Sequence, residues 1–165
     1  MSKVCIVTGA SRGLGRGIAK VLAEERSATV YATARSETAL NELASSLKSN
    51  TGVIHPIVLD QSDDSAVEKF ITRVAEKEGR IDLLVNSAYG GLTAMTPHFG
   101  KPFWERPISV FDASIDIGLR SAFVSSAIVA PHMVSQKSGL IVQVSSFGGH
   151  SYLFDVGYGV GKSGL

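Results

Sequence analysis

Residues Lys3 to Leu22 read KVCIVTGASRGLGRGIAKVL. The first five, Lys3 to Val7, form a mostly apolar run of the kind that makes a strand buried on both faces, and Leu14, Ile18, Val21 and Leu22 then recur at helical spacing. Between them Gly9, Gly13 and Gly15 build a tight strand-to-helix turn. Such a turn lets the backbone approach a pyrophosphate, which rests on the helix N-terminus where unpaired N–H groups and the helix dipole attract anions. The stretch therefore predicts a strand, a phosphate-binding turn and a helix. Gly9, Ser11, Arg12, Gly13, Leu14 and Gly15 are its candidate contacts with a dinucleotide.

The rest of the chain repeats that alternation. Strand-like runs at Lys3–Val7, Thr29–Ala34, Val53–Leu59, Leu83–Val85 and Leu140–Val144 are separated by helical patterns at Leu14–Glu25, Thr38–Ser49, Ser65–Lys77 and Ser109–Met133. Alternation of this kind implies right-handed crossovers and an α/β fold whose parallel sheet is covered on both faces. About twenty residues after the glycine turn, such a fold places the side chain that meets the adenosine ribose. That count lands on Arg35, with no acid at the position and Arg12 as a second cation nearby. Because a guanidinium grips a phosphate through two hydrogen bonds, the pair predicts NADP rather than NAD, with Glu37 as a neighbouring alternative contact to a ribose.

The chemistry is carried near the end of the sequence. Tyr158 and Lys162 stand four residues apart, so one helix face presents both, and the ammonium favours the ionised form of the phenol beside it. Such a tyrosine trades a proton with an alcohol or a carbonyl while a nicotinamide exchanges hydride with the carbon.

Thr8-Gly9-x-x-x-Gly13-x-Gly15 together with Tyr158-x-x-x-Lys162 resembles the short-chain dehydrogenase/reductase family over essentially the whole chain. A narrower likeness to one branch of it rests on Asn86-Ser-Ala-Tyr89, Phe103-Trp104-Glu105 and Gly118-Leu-Arg120. The resemblance implies a Rossmann-type doubly wound sheet spanning residues 1–165, truncated after the fifth strand, because the family's sixth and seventh strands have no counterpart. It implies that Asp60 contacts the adenine and that Asn86 ends the fourth strand at the cofactor. It makes Ser146 the hydroxyl that binds the substrate oxygen, with Ser145 as a substitute, and Lys162 the side chain that holds the nicotinamide ribose. It also implies a homo-oligomer in a full-length form and a small carbonyl or alcohol as substrate. The sequence departs from the family's pattern twice. Tyr89 stands in place of a glycine, and Gly118 falls where an asparagine usually anchors a water chain, which puts proton relay in question; Asp116, two residues away, points to a different helix face.

Composition limits the alternatives. With 44% hydrophobic and 19% charged residues the chain has the makings of a globular core, and a net charge of +1 supplies no electrostatic case for nucleic acid. A lone Cys5 in the first apolar run predicts a buried, inert thiol and a reducing compartment on the cytoplasmic side. No signal peptide is expected at the start, and Ala122–Val134 is too short for a membrane span and reads as a core helix. His55, His98, His132 and His150 have no metal-ligand spacing, so no metal is assigned. The segment Tyr89–Pro107, carrying His98, Phe99, Phe103 and Trp104, is expected to form a substrate-side lip. A competing reading is a nucleotide-binding fragment without turnover, with apolar Leu140, Ile141 and Val142 left uncovered. An epimerase or dehydratase is disfavoured by the glycine spacing.

Overall fold

The computed structural model describes residues 2–48 and 51–165. Five parallel strands, β1 (Val4–Thr8), β2 (Thr29–Ala34), β3 (Val53–Val58), β4 (Leu83–Asn86) and β5 (Leu140–Gln143), are ordered β3-β2-β1-β4-β5. The order reverses between β1 and β4, which opens a crevice beyond their carboxyl ends. The α/β class and all five expected strands are present, with ends shifted by a residue or so. The second helical pattern ends at Ser45, and its expected last residue, Ser49, lies outside the described residues.

In β1 every residue is buried, and alternation sends the side chains to two different cores. Cys5 and Val7 join Val30, Leu40, Leu43 and Val85 under α1 (Gly13–Arg26) and α2 (Glu37–Ser45). Val4 and Ile6 join Val67, Ile71, Leu84, Val129 and Met133 under α3 (Asp64–Glu78) and α6 (Ser121–Ser135). That two-sided burial is why the run lacks a polar alternation. Burial pushes the Cys5 thiol up to about 11, aided by the charge of Asp82, so the thiol stays protonated. Pro56 lies in β3, an edge strand, where a missing N–H disturbs the ladder least.

Between β4 and β5 the chain runs through α4 (Gly91–Met95), α5 (Ile108–Ser114), a π-helical turn (Ile115–Arg120) and α6. The helical run Ile108–Ser135 has the length of a membrane span and a mean hydropathy of 1.3, yet Val129 and Met133 pack into the core beside α3. Periodicity predicts one unbroken helix here. The π-turn interrupts it at Ile115–Arg120, where Gly118 sits against the Tyr89 ring. After β5, α7 (Val156–Gly164) carries Tyr158 and Lys162 back against the sheet.

The start of β4 is anchored by Asp82. Its carboxylate accepts from Lys3 Nζ (2.9 Å), Val4 N (2.9 Å) and Arg80 Nε (2.8 Å) while its side chain is 7% exposed. Burial alone would raise its pKa, but Arg80, the Val4 N–H and Lys3 together outweigh burial and hold it at about 2, against an ordinary 3.8. A depressed carboxyl stabilises the fold fully above its unfolded value and loses that contribution as pH falls toward the folded one. Asp82→Asn is therefore expected to cost about 2 kcal/mol at neutral pH and little near pH 2. Urea melts of both proteins at the two pH values check this, and equal losses at both would contradict it.

Candidate active site

The crevice at the carboxyl ends of the strands is a cleft of about 720 Å³. The glycine turn forms its floor. Gly9 has φ +67°, and a Cβ there would lie 2.7 Å from the Ala88 backbone, so only glycine lets the turn pass under the loop after β4. Thr8 fastens the two together, its Oγ1 accepting from Ser87 N and Ala88 N, each at 3.1 Å. Gly13, at φ +57°, has nothing within 4 Å of where its Cβ would be, so its backbone faces open space in the cleft. Ser36, Asp63 and Asp155 cap α2, α3 and α7 with their side chains. The start of α1 has no side-chain cap, and Gly13, Leu14 and Gly15 of its first turn line the cleft, so this helix start is of the kind that can receive an anion.

Of the candidate cofactor contacts, Gly9, Ser11, Arg12, Gly13, Leu14, Gly15, Arg35, Asp60, Tyr158 and Lys162 all line this one cleft. Arg12 and Arg35 are both exposed there. Asp60 receives hydrogen bonds from Ser62 N (2.9 Å) and Ser62 Oγ (2.7 Å), which hold its carboxyl below the usual range. Asn86 is placed elsewhere. It is buried, and its Nδ2 donates to Ser126 Oγ (3.0 Å) and the Ala122 carbonyl (3.3 Å), so its side chain turns toward α6 instead of the cleft. Glu37 opens α2 and is not on the cleft wall; Ser36 and Ala39 are.

Tyr158, Lys162 and Ser145 line the cleft and Ser146 does not, but the Tyr158 hydroxyl donates to Ser146 Oγ at 2.7 Å. Ser146 in turn accepts from Gly148 N (3.1 Å), which fixes its rotamer. Ser145 serves differently, since its Oγ donates to the Lys162 carbonyl (2.6 Å) and ties β5 to α7. Lys162 Nζ donates to the Val144 carbonyl at 2.7 Å, and burial pushes its ammonium pKa down. The N-terminus of α7 is itself anchored. Asp155 Oδ1 accepts from Tyr158 N (3.2 Å), while Asp155 Oδ2 pairs with Arg106 at 2.7 Å, both side chains being 6% exposed.

The segment Tyr89–Pro107 contributes less wall than its aromatic content suggests. Tyr89, Leu92 and Thr93 line the cleft, whereas Phe103 and Trp104 stack edge to face on the surface, with Trp104 72% exposed. Phe99 reaches the site indirectly, through ring contacts to Phe154 (5.8 Å) and from Phe154 to Tyr158 (5.7 Å). Ser87, Gln61 and Ala34 also line the cleft and carry no signal in the sequence, because small or neutral side chains at strand ends have no distinctive spacing. Tyr89 and Gly118, the two departures from the family pattern, lie against each other.

A family model described as short chain dehydrogenase matches residues 3–165. Dehydrogenase/reductase SDR family member 1 of Mus musculus is 45% identical over 162 residues, which are 98% of this chain and 51% of that protein. The Homo sapiens protein of the same name is 44% identical over the same shares. The chain thus spans about half the length of these curated relatives. Among solved structures, a metagenomic short-chain oxidoreductase in complex with NADP superposes with a TM-score of 0.86 at 32% identity, covering 99% of this chain and 71% of that one. An NAD⁺-bound xylitol dehydrogenase does so with a TM-score of 0.86 at 28% identity, covering 98% and 60%. A glycine turn and a Tyr-x-x-x-Lys helix opening onto one cleft, on a sheet of this order and with this match along its length, establish that the chain belongs to the short-chain dehydrogenase family of oxidoreductases, which use nicotinamide cofactors.

Proposed function

We propose that this chain holds NADP(H) and carries out the proton transfer of a carbonyl–alcohol interconversion. The observation that carries this reading is the 2.7 Å contact to the Ser146 hydroxyl from Tyr158, which lines the same cleft that the glycine turn opens. When bound, the reduced dinucleotide supplies a hydride to the carbonyl carbon. Ser146 holds the carbonyl oxygen by a hydrogen bond, and Tyr158 gives that oxygen its proton, so the carbonyl becomes an alcohol. In the reverse direction Tyr158 takes the proton back. Lys162 keeps positive charge beside the phenol and offers its ammonium to a ribose hydroxyl. The uncapped start of α1 receives the pyrophosphate, and Asp60 meets the adenine.

Arg12 and Arg35 support NADP over NAD, since both line the cleft and both are exposed, while Asp60, the acid on the same wall, is occupied by its hydrogen bonds from Ser62. A charge-assisted hydrogen bond contributes about 1.5–3 kcal/mol, so Arg35→Asp should weaken NADPH binding by roughly 10- to 100-fold and NADH binding far less. Titration by dinucleotide fluorescence measures both. Equal affinities of parent and variant for NADPH would overturn the cofactor assignment, and binding without any turnover would favour a nucleotide-binding role alone.

A further inference from the structure

Tyr89 occupies an unusual place. Its ring lies where a side chain at position 118 would otherwise be, because a Cβ on Gly118 would stand 3.1 and 3.3 Å from the Cδ2 and Cε2 edge of that ring. Ser114 Oγ donates to the Val110 carbonyl (3.2 Å) and shares a 3.1 Å hydrogen bond with the Tyr89 hydroxyl, so the tyrosine is fixed at its tip. On one side the Tyr158 ring meets it nearly perpendicularly, with centroids 5.5 Å apart. On its face sits the Lys162 ammonium, 5.1 Å from the Tyr89 centroid and closer to it than to the Tyr158 centroid at 6.0 Å. The oxygen that receives a hydrogen bond from that buried ammonium is the Val144 carbonyl.

We propose that Tyr89 is a positioning residue, whose ring face holds the Lys162 ammonium beside Tyr158 in the space that Gly118 leaves by having no side chain. The negative face of an aromatic ring attracts a cation and does so more strongly where water is excluded. Burial works against the charge on Lys162, and the ring opposes burial. The ionisable groups facing the pair are Tyr158 from the same helix, and Asp155 with its partner Arg106 at the start of that helix. The sheet offers the Val144 carbonyl, and the π-turn offers Gly118 inward and Asp116 on its exposed side. This role rests on the proposed function for its consequence, but not for its test.

The test is a pH titration of Lys162 itself in the ligand-free chain, read by nuclear magnetic resonance from isotopically labelled lysine Cε and assigned with Lys162→Arg. Tyr89→Phe keeps the ring and its face, and should leave the Lys162 midpoint with the parent's. Pentafluorophenylalanine at position 89 keeps the shape and removes the negative face, and should make Lys162 a roughly five- to tenfold stronger acid. Tyr89→Leu should act in the same direction. A midpoint that fluorination leaves unchanged overturns the proposal, as does one that Tyr89→Phe shifts as far as fluorination does. Because no dinucleotide or substrate takes part, failure here is distinct from failure of the oxidoreductase reading, which NADPH titration of the same proteins reports.

Discussion

Tyr158→Phe is expected to lower turnover of a carbonyl compound with NADPH by about 100-fold or more, the usual contribution of a positioned general acid, while NADPH affinity stays within about twofold. The reason is local. The ring is held by its contacts with Tyr89 and Phe154, which phenylalanine keeps, and only the hydroxyl that meets Ser146 is lost. A loss of turnover with binding preserved separates proton transfer from cofactor capture. The measurements are steady-state rates and fluorescence titration on parent and variant. A phenylalanine variant as active as the parent would refute Tyr158 as the acid.

The largest expected effect on stability comes from the buried pair of Arg106 and Asp155. Arg106 donates to the Lys101 carbonyl (2.9 Å), to the Phe154 carbonyl (3.0 Å) and to Asp155 Oδ2 (2.7 Å), joining the segment after α4 to the start of α7. It also restrains Phe154, a non-glycine residue at φ +65°. Removing one member of a buried pair leaves the other charge uncompensated and costs about 3–5 kcal/mol. Arg106→Leu should therefore lower Tm by roughly 10 °C in a chain of this size, and Arg106→Lys, a single ammonium in place of a planar fork, should recover only part of it. Thermal melts followed by circular dichroism decide the matter. Variants melting within about two degrees of the parent would show that the pair contributes nothing net.

Much of the site was legible because its residues are local in sequence. The glycine turn needs only the neighbouring strand and helix, and Tyr158 and Lys162 share one helix face at any tertiary arrangement. Arg35 was legible for a related reason, since a strand of fixed rise after a helix of fixed length delivers the end of β2 to the crevice. Asn86 was not. Being at the end of β4 does not say which way a side chain points, and contact with Ser126 and Ala122 of α6, some forty residues away, decided it. The two serines were likewise inseparable on spacing alone, until α7 packed on β5 and set one hydroxyl against a phenol and the other against a backbone carbonyl.

The sequence by itself determined the alternation of strands and helices, the glycine turn between the first strand and helix and the pairing of a tyrosine with a lysine, because each follows from periodicity or from spacings of a few residues. Only the tertiary structure decided that Tyr89 and Gly118 are one feature instead of two separate departures. They stand far apart along the chain, and what joins them is the absence of a Cβ that would crowd a ring. It likewise decided that Arg106 anchors the helix bearing Tyr158, since an ion pair between residues so distant in sequence exists only once the segment after α4 has packed against the start of α7 and excluded water from both charges.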